Sequence, residues 1–542
     1  MDLRWKDEDR HTMHELARMS ARAVVAALRN GEVTPDAAID AALERIRETD
    51  PAINAVPTLC EDRARGGGGA RAAPRRAAPG GRPAPAASPA PPARLGPPAP
   101  APRGGPPPRP PRPRPPPGSL PTDRREDPGY LHGLPVLIKD LTDVEGVRTT
   151  SGSPVYADHV PERSDIVVER IERMGGIILG KTNTPEFGAG SQTFNTVFGV
   201  TRNPWDPSKT VGGSSGGAAA ALAAGSAWLA TGSDLGGSLR NPASFCSVTG
   251  LRCSSGTVAH GPRDLAWDSL MISGPMARDI ADLALFLDTM AGFDPRDPLS
   301  RPRTPDPAGG PATYTAALDP EAWPARPRLR RVAWTTGFGY LPCDPEVAAI
   351  TERAAGRFAE LGAEVVPAKL DLRQAEDIFQ TLRADLLATD KGALYAAHRD
   401  SLKTDLRWNI ERGLALERAE AGRAALARGR MLAEVQDFFV DHDLLLAPVA
   451  MVPPFSADVP WPRSVAGVEF DNYVSWLMTA ATISLTDCPA LSVPCGYTET
   501  GLPVGLQVIA PARHEGRLLY WAHRFEELAG IADGVPRDPA TG

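Results

Sequence analysis

Two glycine–serine turns, Gly212-Gly213-Ser214-Ser215-Gly216-Gly217 and Asp234-Leu235-Gly236-Gly237-Ser238, close the two ends of a stretch with no charge from Val211 to Ser233. Between them lie a helix-like run, Ala218 to Ala224, and a strand-like piece, Ala227-Trp228-Leu229-Ala230. A flexible linker would not be joined to an uncharged Ala/Leu run on one side and an apolar strand on the other. The stretch therefore reads as interior, with both turns folded back against each other. Glycine lets the backbone take positive φ and approach a ligand closely, so several N–H groups can point at one spot. Ser214 and Ser238 are 24 residues apart, and a hydroxyl on such a turn is a candidate nucleophile beside an oxyanion hole.

The remaining composition narrows the class. A chain of 542 residues that is 42% hydrophobic can bury a large core, and no apolar run reaches the ~18 residues that cross a bilayer. The charged start, Met1 to Arg10, lacks an apolar h-region, so no secretory signal is expected and the cytoplasm is the expected location. Cys60, Cys246, Cys253, Cys343, Cys488 and Cys495 are scattered without a C-x-x-C pair, and read as reduced thiols, not as a zinc or disulfide framework. The net charge of −7 conceals an asymmetry: residues 64 to 118 hold ten arginines and no acid, leaving −17 on the rest. That balance argues against nucleic acid as the partner of the folded part.

Periodicity predicts helices at about His14–Arg29, stopping at Asn30-Gly31, and from Thr34, with Pro35 at the first helical position and Asp36 in the first turn. Ile39, Leu43 and Ile46 make the apolar face of the second. Strands are expected at Leu134–Asp140, Gly176–Gly180, Arg331–Thr335, Ala363–Val366, Leu444–Ala447, Ala490–Val493 and Gly505–Ile509. Helices are expected at Asp165–Met174, Asp344–Gly362, about Leu414–Phe439 and Arg517–Leu528. Such alternation predicts an α/β fold with a mostly buried sheet covered by helices.

With seven lysines against 52 arginines, each lysine merits inspection. Lys139 follows Val136-Leu137-Ile138 at a strand end, where burial would lower its pKa. Acting as a base near neutrality requires a fall from ~10.4 that costs roughly 3–4 kcal/mol. On this segment alone, a strand-end lysine reaching water or pairing with Asp140 is the preferred reading. Lys181, in Gly180-Lys181-Thr182-Asn183, is assigned a structural role. His132, His159 and His260 are the histidines nearest the turns, and each reads as a surface or loop imidazole.

Taken together, these pieces resemble the amidase signature family of serine hydrolases. The resemblance is carried by His132 to Asp140, Gly180 to Asn183, Val211 to Phe245, Gly274-Pro275-Met276-Ala277-Arg278, Pro448, Pro489 to Pro494 and Gly501 to Gln507. It implies a single large α/β domain with a mixed sheet covered by helices on both faces. Residues 1–62 would be its helical start, 128–535 its catalytic body and 536–542 a tail. It also implies a Ser–Ser–Lys triad: Ser238 as nucleophile, Ser214 as bridging serine held by a cis peptide bond, and Lys139 as base. Backbone N–H groups of Leu235, Gly236, Gly237 and Ser238 would form the oxyanion hole, with Ser215, Asp234 and Arg240 supporting the turns. Phe187, Gly188, Gln192 and Gly213 would contact substrate, and Tyr473 to Leu485 would line the acyl pocket. The implied activity is hydrolysis of an amide to acid plus ammonia or amine, on a small-molecule substrate. No cofactor, metal, nucleic acid or membrane is expected, and a homodimer is the guess by analogy.

Three departures stand out. Cys253 occupies a place where proline is usual. Relatives that feed ammonia to misacylated tRNA carry an acidic residue some way before the Pro489–Pro494 strand; residues 474 to 486 hold none, and Asp487 lies too close to the strand to substitute. This weighs against one alternative, that the chain is a subunit of a glutamine-dependent tRNA amidotransferase. A second alternative takes Gly212-Gly213-Ser214-Ser215-Gly216 as the G-x-S-x-G elbow of an esterase, but Asn203 to Pro207 before it reads as a turn and not the required strand. A third is an inactive product of a damaged gene.

The third departure motivates that last reading. From Ala64 to Gly118 every residue except Ser88 and Leu95 is Ala, Arg, Gly or Pro, with 20 prolines. Such a tract buries no core and forbids long helices, so disordered or polyproline-like chain is expected over 63–127. A linker, a nucleic-acid-binding tail or a proline-domain ligand would have this composition. So would a GC-rich gene read out of frame, the hypothesis that the excess of arginine over lysine favours. Resequencing is expected to find compensating frame changes flanking the tract; an intact frame encoding a well-ordered segment overturns it.

Overall fold

The computed structural model describes residues 7–66, 124–307, 309–531 and 534–540. Apart from its first three residues, the Ala64–Gly118 tract lies outside them. Three helices come first: α1 (Asp7–Arg18), α2 (Ala21–Asn30) and α3 (Pro35–Ile53). The single helix expected over His14–Arg29 is therefore two. Ser20 interrupts it as an N-cap, accepting from the Ala23 N–H, and the Asp282 carboxylate accepts from the N–H groups of Ala21 and Arg22 at 2.6 and 2.9 Å. A buried carboxylate satisfying the free donors of a helix start compensates for the break. The α3 helix begins as expected, with Thr34 accepting from Ala37.

Eleven strands form one mixed sheet. In chain order they are β1 (Thr58–Leu59), β2 (Pro135–Lys139), β3 (Ile177–Thr182), β4 (Leu229–Asp234), β5 (Thr249–Arg252), β6 (Ile272–Ala277), β7 (Arg331–Trp334), β8 (Glu364–Pro367), β9 (Leu444–Pro448), β10 (Ala490–Tyr497) and β11 (Pro503–Ile509). Their spatial order is β1-β3-β2-β4-β6-β5-β10-β11-β9-β7-β8. The pairs β3–β2, β2–β4, β9–β7 and β7–β8 are parallel, and the centre is antiparallel. Every expected strand is present. Strands β1, β5 and β6 were not anticipated from the sequence; in β6 the pair Gly274-Pro275 belongs to residue types that disfavour a strand interior. Gly274 is needed there: a Cβ would lie 2.4 Å from the Leu251 carbonyl oxygen.

Helices cover both faces: α4 (Ile166–Arg173), α5 (Gly216–Ala223), α6 (Arg240–Cys246), α7 (Ile280–Met290), α8 (Pro345–Gly356), α9 (Ala375–His398), α10 (Thr404–Leu414), α11 (Glu420–Asp441), α12 (Met478–Ser484) and α13 (Glu515–Ala529). The two cores divide by strand alternation. Leu444 and Leu446 join the core that contains α3, α5, α8 and α13; Leu445 and Ala447 join the core that contains α9, α11 and α12. The helix expected over Leu414–Phe439 is α11, which starts six residues later, at Glu420, because α10 ends only at Leu414 and a short turn separates the two. Gly413 lets α10 close against α9, where a Cβ would meet the Ala384 carbonyl oxygen at 2.1 Å. The long α9 was not anticipated at all. Among the described residues, no helix is long and apolar enough to cross a membrane.

Register places the chemistry. In the parallel pair β2–β4, Val136 lies opposite Leu229 and Leu137 opposite Ala230, so Lys139 and Ser233 leave the sheet at the same carboxyl edge, where open α/β sheets hold ligands. Lys181 ends the next strand, buried, donating to the Thr142 carbonyl at 2.8 Å and the Thr149 hydroxyl at 2.7 Å beside Asp140 at 3.3 Å. It anchors the loop after β2, the structural role expected of it.

All eight residues of α5 are buried. Its small side chains let the helix lie almost on the backbone of its neighbours: a Cβ on Gly217 would sit 2.4 Å from Asn183 N and 2.7 Å from the Ala55 carbonyl oxygen. Gly217→Ala is expected to lower unfolding stability by about 1–3 kcal/mol, read by urea denaturation, because neither backbone atom can rotate away.

Candidate active site

Lys139 is 0% exposed, and its amine faces three hydroxyls: Ser214 Oγ at 2.6 Å, Ser215 Oγ at 2.9 Å and Ser233 Oγ at 3.0 Å. Burial pushes the amine down to about 7, against the pull of the Asp234 charge. A neutral amine donates two hydrogens and accepts one. The geometry indicates which hydroxyls receive those hydrogens. Ser215 Oγ donates to the Ser233 carbonyl and accepts from the Ser233 N–H, both at 3.3 Å, so its proton is engaged and it can only accept from Lys139. Ser214, at the shortest distance, is free to give its proton to the amine.

The Gly213–Ser214 peptide is cis, as the resemblance implies. No strand runs into Ser214; only isolated bridges at Lys209 and Thr210 precede it, so the esterase elbow is absent. The two turns meet through the Ser215 N–H, which donates to the Ser238 carbonyl at 3.2 Å. Ser214 is buried and Ser238 half-buried at the start of α6. No direct hydrogen bond joins their hydroxyls.

Asp234 shapes the second turn. Its carboxylate accepts from the N–H of Gly237 at 2.9 Å and of Leu239 at 3.1 Å. Arg240 grips the same carboxylate through Nε and Nη2 at 3.1 and 2.9 Å, and Arg252 reaches it at 3.3 Å. Burial opposes the charge on Asp234, but Arg240 and Arg252 overcome it and hold the acid well below the usual carboxylate range. Arg240 continues to the Ala480 carbonyl, the Ser484 hydroxyl and Gln507 Oε1 at 2.8, 2.8 and 2.5 Å, tying the turn to α12 and β11.

This corrects one expected oxyanion donor. The Gly237 N–H is held by Asp234, while those of Leu235, Gly236 and Ser238 have no partner among the described residues and remain available. Gly237 is needed for its φ of 106°, and a Cβ there would meet Ala480 at 2.6 Å.

The expected substrate residues converge. A Cβ on Gly188 would lie 3.4 Å from Ser214 Oγ, and one on Gly213 3.0 Å from Gln192 N. Phe187 precedes Gly188 with φ of 49°, and Gln192 is buried. The Tyr473–Leu485 segment contributes Ala480 against Gly237. The sequence missed Ser233 as a partner of Lys139, Arg252 as a partner of Asp234, and Phe379 of α9, whose ring covers the second turn 2.7 Å from where a Gly236 Cβ would be. None has a local signal, since each reaches the site from a distant element or a plain strand position. The three histidines stay outside the site. His260, expected on a surface or loop, is buried in a loop, where burial pushes it down to about 3. Two cavities elsewhere, one lined by Thr257, Tyr314 and Glu515 and one by Ser254, His260 and Asp268, include none of Lys139, Ser214 or Ser238.

With this geometry in view, the likenesses are specific. The Amidase family profile matches residues 119–519. A glutamyl-tRNA(Gln) amidotransferase subunit (the one lettered "A") of Synechococcus sp. (strain RCC307) is 36% identical over 441 residues, covering 77% of this chain and 87% of that one. An acylamidase of Rhodococcus erythropolis is 35% identical over 419 residues, covering 76% and 85%. A solved bacterial aryl acylamidase of the amidase signature enzymes superposes with a TM-score of 0.76 at 26% identity, covering 96% and 99%.

Removing Asp234 would leave two buried guanidiniums without their shared counter-charge. Asp234→Ala is expected to cost about 3–5 kcal/mol of unfolding free energy by urea denaturation; a loss below about 1 kcal/mol would show that the arginines find other partners.

Proposed function

The chain belongs to the amidase signature family, and on that premise we propose that it hydrolyses a linear carboxylic amide through Ser238 as nucleophile, Ser214 as bridging serine and Lys139 as base. The observation that carries the reading is the 2.6 Å contact between the buried Lys139 amine and the Ser214 hydroxyl, with the amine held near neutrality by burial.

Neutral Lys139 takes the Ser214 proton as Ser214 takes the Ser238 proton, and Ser238 Oγ forms a bond to the amide carbon. A turn of the Ser238 hydroxyl toward Ser214 on substrate binding completes the wire; catalytic hydrogen bonds often tighten only at that stage. The carbonyl oxygen, now negative, is received by the N–H groups of Leu235, Gly236 and Ser238, each contributing about 3 kcal/mol to the barrier difference. The same relay then returns the proton to nitrogen as the C–N bond breaks, which matters because an amide anion is a very poor leaving group. Water then gives a proton to Ser214 and Lys139 as its oxygen bonds to the acyl carbon, and the relay returns a proton to Ser238 Oγ as the ester bond breaks and the acid leaves.

A second reading, in which the chain serves an amidotransferase, is favoured by the likeness to proteins of that name. The absence of an acid from residues 474 to 486, which include α12, counts against it. Hydrolysis of simple amides by the chain alone, without glutamine or partner proteins, distinguishes the two.

A fluorophosphonate is expected to form its adduct on Ser238 by peptide mapping, and Ser238→Ala to lower kcat at least about 10⁴-fold. Because Lys139 works only when neutral, kcat/KM is expected to rise about tenfold per pH step below 7 and to level off above it. An adduct on Ser214, or a rate that falls as pH rises through 7, would defeat the assignment.

A further inference from the structure

Helix α9 runs over the site, and three of its residues, each four positions apart, mark the path. Phe379 lies on the second glycine turn at Gly236. Leu387 packs in one cluster with Ala189 and Phe187, which flank Gly188 beside Ser214. Arg383 stands between them on the same broad helix face, about 6 Å along the axis from each.

Arg383 is only 7% exposed, yet no carboxylate among the described residues lies within ion-pair distance of it. Its partners are neutral. Nη1 donates to Asn409 Oδ1 of α10 and Nη2 to the Tyr473 hydroxyl, whose ring it also overlies at 5.3 Å. The acids nearby are engaged elsewhere: Glu376 accepts from Ser475 Oγ at 2.6 Å and Gln380 Nε2 at 2.9 Å, and Asp405 pairs with Lys403 at 3.0 Å. The Tyr473 hydroxyl accepts from both Arg383 and Asn409, the latter at 2.8 Å. With both lone pairs used, its own proton has no acceptor among the described residues. A buried cation without a counter-charge, beside a hydroxyl with an unassigned proton, is costly unless a ligand completes it.

We propose that Arg383 and Tyr473 form a carboxylate subsite, so that the preferred substrates are amides bearing a second, anionic end. The guanidinium supplies charge and paired donors, and the Tyr473 O–H adds a further donor to the same carboxylate. The proposal rests on the amidase reading and narrows its substrate class; Arg383 is a specificity residue and takes no part in the proton relay.

The test uses full-length Ser238→Ala protein, in which turnover is removed, and calorimetric titration with monoamides of dicarboxylic acids from succinamate to suberamate, each against the neutral alkanamide of equal length. At least one carboxylate-bearing amide is expected to bind roughly tenfold to a hundredfold more tightly than its neutral counterpart. Adding Arg383→Gln should abolish that preference by weakening the charged amides far more than the neutral ones, Arg383→Lys should retain part of it, and Tyr473→Phe should lower the ratio of charged to neutral affinity. The proposal is overturned by equal binding of charged and neutral amides at every length, by a preference that survives Arg383→Gln, or by equal weakening of both, which would mark a purely structural arginine. Failure of the amidase reading looks different: the carboxylate preference persists, but the native serine gives no turnover of any amide.

Discussion

A charged amine taken into a protein interior loses hydration worth several kcal/mol, and the folded chain escapes that loss by letting the amine go neutral. At Lys139 burial lowers the pKa to about 7, so that the uncharged form is accessible near neutral pH, and hydroxyls in place of acids surround the amine. Ser214, Ser215 and Ser233 supply them from two separate pieces of chain. The first glycine turn and the end of β4 must therefore lie side by side, and the uncharged α5 between them must be small enough to fold into the space left. Its alanines are the consequence of a helix pressed between sheet and backbone, with all its residues buried.

The Lys139 pKa stays low only if nearby acids are held off. Asp234 follows Ser233 of the Lys139 cradle directly in β4, and it is saturated by Arg240 and Arg252 and by the N–H groups of Gly237 and Leu239. Its charge is directed into the second turn, which it shapes, and only a residual pull reaches the lysine. The same carboxylate leaves the Leu235, Gly236 and Ser238 donors free while occupying that of Gly237, and through Arg240 it couples the turn to α12 and β11. Rigid placement of backbone donors is what electrostatic stabilisation of a tetrahedral intermediate requires.

Legibility differed by type of signal. Residues that act through backbone geometry were readable because their sequence requirements are local: the glycine turns, the Thr34 cap and the strand-end lysine each follow from a few adjacent residues. Elements whose form depends on a distant partner were not. Ser20 reads as mid-helix until Asp282 is seen to cap the second half. Strand β6 gave no strand signal, and the reason for Gly274 appears only where the Leu251 carbonyl leaves no room for a side chain. Helix α9 carries mixed residues with no cap to announce it, and its relation to the site appears only where Phe379 meets Gly236.

By itself the sequence determined the α/β class, the two turns and a strand-end Lys139 with apolar neighbours, because each is specified by short-range chemistry, whereas grouping Lys139 with Ser214 and Ser238 as candidate reactive side chains rested on the family resemblance. Only the tertiary structure decided which hydroxyl faces the lysine at the shortest distance, that the Gly237 N–H is engaged by Asp234, and that Arg383 lies buried over the site with no carboxylate at ion-pair distance among the described residues. Those are facts about which groups share a partner at a few ångströms, and long-range pairing of this kind leaves no trace in sequence spacing.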